Sequence, residues 1–352
     1  MGSPVRIVEV VPYSLDVPGG VATQAFGLSE WLISRGHTVT LIAPGKLPPP
    51  QLPPGGRVVT LGRATSWKFN GSVAQLKLLP GRSWRHLVAA ADAVHVHEPL
   101  TPGLAYAAAR QATRLMVTHH ADFALNSVLA AALRLRSRQL KVRARIAVSP
   151  AAAAVAETVT GERPIIIGNA VAFPPLIADS RDSTRPRVAF IGRYDEPRKG
   201  FGIFAQLAQR IPTAEFVAIG PGRASHAGIE YLGQLPNAEL RQELQRADIV
   251  VAPNLFGESF GVILIEALAA SCAVVASDLP AFRDVTSGCE AATLCPVGDV
   301  AAFEQAVRAR LQRPHRPEVA RSCAANRSWD VVGPALEQQL IAVAEASRTV
   351  ER

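Results

Sequence analysis

Gly257-Glu258-Ser259-Phe260-Gly261-Val262-Ile263-Leu264-Ile265-Glu266-Ala267-Leu268-Ala269-Ala270 runs from a glycine-bearing loop into a helix that is apolar on nearly every face. Such a helix is buried inside a domain. The stretches on either side of it, Ile249 to Ala252 and Ala273 to Ala276, are short apolar runs of the kind that make buried strands. Strand, helix, strand in that order predicts a parallel sheet. Ser259 is placed to cap the helix. Glu266 is the one carboxylate in the apolar run, roughly 9 Å inside the helix start, and its burial is costly unless something polar meets it. The free backbone N–H groups of Phe260 and Gly261, with the positive end of the helix dipole, predict an anion site.

Working outward, Val188 to Ile191, Phe216 to Ile219 and Ala292 to Cys295 supply further strands of the same domain, with helices between them. The segment before it alternates likewise. Strands are expected at Val5 to Val11, Thr38 to Ala43, Val58 to Leu61, Ala93 to His97, Leu115 to Thr118, Ile146 to Ser149 and Ile165 to Ile167. The first is followed by a Pro/Gly loop ending in Gly19-Gly20, and then by a helix through Ala25, Leu28, Trp31 and Leu32. Pro48 to Pro54 reads as a stiff surface loop, and Leu61 to Gly81 as a looser segment. Polar residues from Pro174 to Pro186 read as a linker between two doubly wound α/β domains. These span 1–173 and 174–330, and a last helix, Val331 to Ala346, follows Trp329-Asp330.

At 352 residues, with 48% hydrophobic and 19% charged residues, the chain is expected to be globular and to fold as two domains. No apolar run of about 18 residues is present, and no basic-then-apolar leader precedes the first strand, so a cytoplasmic location is expected. Cys272, Cys289, Cys295 and Cys323 lack metal-ligand spacing and are expected to be buried free thiols, with neither zinc nor a disulfide. The net charge of +8 favours an anionic partner.

The order Glu258, anion site, Glu266 suits a sugar, a diphosphate and a ribose laid end to end, that is, a nucleotide sugar. With this pair the sequence resembles glycosyltransferase family 4, retaining enzymes of two Rossmann-like domains facing a cleft (the GT-B fold). The signature of that family is two Glu separated by seven residues, as Glu258 and Glu266 are. A second motif is Gly192-Arg193-Tyr194-Asp195-Glu196-Pro197-Arg198-Lys199-Gly200, which follows a strand and opens a helix, where ligands of such sheets bind. It is similar to that of the actinobacterial phosphatidylinositol mannosyltransferases, as are Pro12-Tyr13-Ser14 and Asp16-Val17-Pro18-Gly19-Gly20-Val21.

Several roles follow from the residues and the resemblance together. Arg193 and Lys199 would neutralise the leaving diphosphate, the group that gathers charge as the glycosidic bond breaks, so no metal is expected. Gly19 and Gly20 can take backbone angles closed to other residues and admit a phosphate or the acceptor. The resemblance places His120 beside the donor sugar, with Glu258 orienting the sugar hydroxyls and Glu266 holding the ribose. It implies transfer of mannose from GDP-mannose to a phosphatidylinositol-type lipid, with no cofactor beyond the donor and a C-terminal helix crossing back to the first domain. Tyr13, Asp16, Asn70 and Ser72 are the acceptor-side candidates. Arg82, Trp84, Arg85 and His86, with Arg134, Arg136, Arg138, Lys141, Arg143 and Arg145, suggest peripheral attraction to an anionic inner membrane face.

Four departures from the family pattern bear on substrate. Gln75 stands where an arginine is expected, and Asn237 where an acidic residue pairs with guanine. Gly168-Asn169-Ala170 replaces a Pro-Asn-Gly turn, and Gly222 to Gly233 is short. A UDP-linked donor, a small-molecule or natural-product acceptor, and an epimerase of the same fold stay open. Nucleic acid is not expected as a partner, because no base-stacking motif accompanies the charge.

Overall fold

The protein is described by a computed structural model over residues 4–17, 19–69, 72–120, 125–175, 185–313 and 316–346. It divides into two compact units, Met1–Ala170 with Trp329–Arg352, and Val171–Ser328.

The first unit runs β1 (Arg6–Val10), α1 (Gly20–Ser34), β2 (Thr38–Ala43), β3 (Gly56–Thr60), β4 (Thr65–Phe69), β5 (Ser72–Leu76), α2 (Arg85–Ala90) and β6 (Ala93–His97). It continues through α3 (Leu104–Gln111), β7 (Leu115–His119), α4 (Ser127–Ser137), β8 (Val142–Ala147), α5 (Pro150–Thr160) and β9 (Ile165–Ile166). Its main sheet is parallel, in the order β3-β2-β1-β6-β7-β8-β9. Strand order therefore reverses between β1 and β6, the place where open α/β sheets bind ligands beyond their carboxyl ends. β4 and β5 form a separate antiparallel hairpin within the segment expected to be loose. It is tied to the loop after β1, because Ser14 N–H donates to the Gln75 carbonyl.

The second unit runs β10 (Arg187–Ile191), α6 (Phe201–Arg210), β11 (Glu215–Ile219), β12 (Ile229–Gly233), α7 (Asn237–Arg246), β13 (Ile249–Ala252) and α8 (Val262–Ala269). β14 (Ala273–Ser277), α9 (Pro280–Thr286), β15 (Ala292–Cys295), α10 (Val300–Gln312) and α11 (Pro317–Ala324) complete it. Its parallel sheet has the order β12-β11-β10-β13-β14-β15, reversing between β10 and β13. Phe190, Phe204, Phe216 and Phe303 fill one side of that sheet.

The last helix, α12 (Trp329–Glu345), belongs to the first unit. Val332, Leu336, Leu340 and Val343 pack with Ile7, Leu28, Leu32, Ala93 and Met116. The approach of α12 to α1 rests on two glycines facing two tryptophans. A Cβ on Gly27 would lie 2.6 Å from the Trp329 ring, and one on Gly333 2.5 Å from the Trp31 ring. His37 adds a polar tie: its Nδ1 accepts from Val5 N–H and its Nε2 lies 2.8 Å from Glu337.

Two expectations are corrected here. Cys289 and Cys323 form a disulfide between the loop before β15 and α11, so only Cys272 and Cys295 are free buried thiols. Trp84, expected on a lipid-facing patch, is 1% exposed, with its indole N–H on the Gly81 carbonyl, so it is core. The expected linker lies mostly outside the described residues, as does Asn70. No helix among the described residues is long and apolar enough to cross a membrane.

Candidate functional site

In the second unit the loops after β10 and β13, the two strands at the reversal, come together. Gly200 makes this possible. It sits at φ +67, and a Cβ there would lie 1.9 Å from the Pro253 carbonyl oxygen, so a side chain would force the loops apart. The Lys199 ammonium is thereby held 3.0 Å from Glu258 Oε2, which also accepts from Asn254 Nδ2 at 2.9 Å. Arg198 braces the same loop: its guanidinium donates to the Gly257 carbonyl and lies 3.8 Å from Glu258 Oε2. Arg193 is a third exposed of its side chain, 3.9 Å from Asp195. The fixed cations and a carboxylate thus stand at the carboxyl end of the sheet, beside an open groove of about 590 Å³ lined in part by Tyr194, Gly222, Arg223 and Tyr231.

α8 starts later than the sequence suggests. Its cap is Gly261 at φ +86, where a Cβ would meet the Phe282 ring at 2.8 Å, so the cap position falls two residues after Ser259. The N–H groups of the first helical turn are therefore those of Val262 and Ile263, and Phe260 and Gly261 belong to the turn before it. Glu266 is largely withdrawn from water. Burial pushes its carboxyl up to about 7, only partly offset by Arg241 on α7.

In the first unit, strand alternation puts Glu9 on β1, His95 and His97 on β6 and Thr118 on β7 on one face with Ile7, Ala93 and Met116. Glu9 Oε2 lies 2.8 Å from His95 Nδ1 and 2.9 Å from His97 Nε2. His97 Nδ1 lies 2.9 Å from His120 Nε2, and His95 Nε2 2.7 Å from Thr118 Oγ1. Burial pushes the Glu9 carboxyl up, but the two imidazoles outweigh it and bring it down to about 2. The ligand-type atoms of Glu9, His95 and His97 lie within 4.8 Å of one another; Glu9 Oε2 is shared by its contacts with the two rings, while Glu9 Oε1 is buried without a hydrogen bond among the described residues. His120, just past β7, is 9% exposed, and its backbone N–H donates to Glu98 Oε1. Glu98 itself takes a left-handed φ of 50.

Residues 18–172 match the family described as Glycosyltransferase Family 4, and residues 185–313 that described as Glycosyl transferases group 1. A phosphatidyl-myo-inositol mannosyltransferase of Propionibacterium freudenreichii is 37% identical over 94% of this chain and 93% of its own. The chain belongs to glycosyltransferase family 4. It is a hexosyltransferase. The phosphatidyl-myo-inositol mannosyltransferase of Mycobacterium leprae is 36% identical over 98% of this chain and 99% of its own. Among solved structures, sucrose-phosphate synthase from Thermosynechococcus elongatus superposes with a TM-score of 0.70 at 18% identity, covering 97% of this chain and 100% of that one. Anabaena HepE in complex with UDP-glucose gives 0.67 at 14% identity, covering 98% and 100%. At those identities the likeness concerns the fold, two Rossmann-like domains of the GT-B type.

Within this family-4 enzyme the expected residues fall unevenly. Lys199 and Glu258 are joined directly, while the Glu266 carboxyl, on α8, makes no hydrogen bond among the described residues. Gly19 is extended, at φ −162, and Gly20 opens α1, so neither uses an angle closed to other residues. A Cβ at either would stand in open space, which leaves room for a ligand to approach. Asp16 turns to the loop after β2, accepting from the backbone N–H groups of Lys46 and Leu47. Tyr13 is bridged to Leu76, and burial beside Glu98 raises its hydroxyl above the ordinary range. Ser72 opens β5. Of the basic series, Arg134, Arg143 and Arg145 are engaged by the Thr158 carbonyl, the Thr113 carbonyl and Glu162, and Arg136 stacks on Tyr106. Sequence reasoning missed Asn254, Arg198 and Glu9. Glu9 left a signal, a lone carboxylate in the apolar run Ile7 to Val11.

Proposed function

We propose that this enzyme transfers mannose from GDP-mannose to the inositol headgroup of a phosphatidylinositol-type lipid, with retention of configuration and without a metal. The observation that carries the reading is the Lys199–Glu258–Asn254 cluster at the β10/β13 reversal. A cation fixed there suits a leaving diphosphate, and a carboxylate beside it suits sugar hydroxyls. In the reaction the bond from the anomeric carbon to the diphosphate breaks and a bond to the acceptor oxygen forms on the same face. The acceptor's proton passes to the departing phosphate oxygen. Lys199 and Arg193 stabilise the charge that gathers on the diphosphate, Glu266 accepts from ribose hydroxyls, and His120 serves the sugar. Relatives named for phosphatidyl-myo-inositol support the acceptor class. The exposed side chains of Leu79 and Leu135 support contact with lipid.

The test is a panel of nucleotide sugars incubated with the protein, with and without phosphatidylinositol vesicles, in EDTA. Mannosylated lipid of α configuration is expected with GDP-mannose only. Transfer from a UDP sugar, transfer to soluble acceptors alone, or donor isomerised without an acceptor would each overturn the assignment. So would activity that EDTA abolishes and magnesium restores.

A further inference from the structure

The hydrogen-bonded chain from Glu9 to His120 is buried beneath the carboxyl end of the first sheet, and the chemistry already described uses only its last member, His120. We propose that Glu9 and His97 are positioning residues that fix the tautomer of His120, placing its ring proton on Nε2 and leaving Nδ1 as the ring's acceptor. This rests on the reading of His120 as the residue serving the sugar.

The argument follows the protons. An ionised carboxylate only accepts, so the 2.9 Å contact of Glu9 Oε2 with His97 Nε2 requires the proton on that nitrogen. Burial, then the neighbouring His95, hold His97 below its usual range, so it is neutral and its Nδ1 is bare. The 2.9 Å contact between His97 Nδ1 and His120 Nε2 needs one proton, which His120 must supply. Burial and the surrounding imidazoles keep His120 neutral as well, so its Nδ1 carries no proton. Each link is set by the one before it, starting from a carboxylate with 0% exposure. An imidazole held this way can take a hydrogen bond from a hydroxyl, whereas the other tautomer would offer a donor at the same place.

The test begins with the wild-type protein, labelled with ¹⁵N-histidine, in a long-range proton–nitrogen correlation spectrum assigned with a His120→Gln variant. His120 is expected as the Nε2–H tautomer. The Nδ1–H tautomer, or the nitrogen shift of a metal-bound ring at His95 or His97, would overturn the proposal. The second arm is Glu9→Gln, nearly the same shape, whose amide can either donate to or accept from His97. A mixture of His120 tautomers is expected, with kcat lowered about tenfold. Donor KM and the dissociation constant for GDP should stay within about twofold of wild type. A folded Glu9→Gln protein with wild-type kcat would also overturn it. The spectrum needs no turnover, so failure of this inference shows in the ring nitrogens and failure of the mannosyl-transfer reading shows in the donor panel.

Discussion

Glu266 carries a pH dependence whose sign differs between the empty and the liganded protein. Burial raises its carboxyl from 4.5 to about 7, so in the unliganded fold the neutral form is favoured below about pH 7. The folded state then holds more protons than the unfolded one between those values, and the contribution of this group to stability is lost as pH rises through about 7. On the proposed role, Glu266 accepts from ribose hydroxyls, and the carboxylate is the stronger acceptor. Nucleotide affinity is therefore expected to strengthen as pH rises through that range, with proton release on binding. Calorimetry of GDP in buffers of differing ionisation enthalpy measures both. Glu266→Gln should bind weakly at every pH, and equal affinity for wild type and variant at pH 8 (roughly one unit above the titration) would remove Glu266 from the site. For Lys199 the expected loss is in rate: Lys199→Ala should lower kcat roughly a hundredfold, about 3 kcal/mol of transition-state stabilisation. Asn254 still holds Glu258 in that variant, so its thermal unfolding should stay near wild type, and a near-normal kcat would end the leaving-group assignment.

Among the elements, α1 and α12 meet through reciprocal glycine–tryptophan contacts, and this makes an unusual substitution informative. Ala in place of Gly27 gains about 1 kcal/mol in helix propensity, yet its methyl would press into the Trp329 ring. Overpacking costs about 1–3 kcal/mol, so Gly27→Ala is expected to lower the denaturation midpoint, and a raised midpoint would show that the indole moves aside freely. Glycines used for close approach leave no trace in a hydrophobic pattern, which is why this packing was not legible. Central strands were. Thr38–Ala43, Ala93–His97 and Ile249–Ala252 stand where their apolar runs put them, and so does one edge strand, Ala292–Cys295. β8 was expected at Ile146 to Ser149 and begins at Val142, because Arg143 and Arg145 interrupt the run on one side. β12 and the β4–β5 hairpin are edge or isolated elements, too polar to read as buried strands. At the site, the Glu258 and Lys199 motifs were legible as local strings. The Glu9–His97–His120 chain needs β1 beside β6 beside β7, a sheet order that no window of sequence contains.

At the level of the whole molecule, the disulfide and the return of α12 each tie distant parts of the chain together. Cys289–Cys323 closes a loop with a sequence separation of 34. Cysteine pairing is not legible from spacing, since four cysteines allow several connectivities. Chain-entropy arguments give such a crosslink about 3–4 kcal/mol, so the Cys289→Ser, Cys323→Ser double variant should melt several degrees lower. An unchanged melting temperature, in the protein kept free of reductant, would mean that the bond adds nothing to the fold. The return of α12 has a consequence for how the protein is made. Residues 171–328 are threaded into the sequence of the first unit as an insertion, and the surface of β1, β6 and β7 that α12 covers emerges early from the ribosome. That surface stays bare until the final helix is translated, so the second unit can finish folding while the first is still waiting. Vectorial synthesis thus inverts the order of the chain: the half that is made first matures last, and an early stop after Ser328 would leave an intact second unit attached to an aggregation-prone, open-faced sheet.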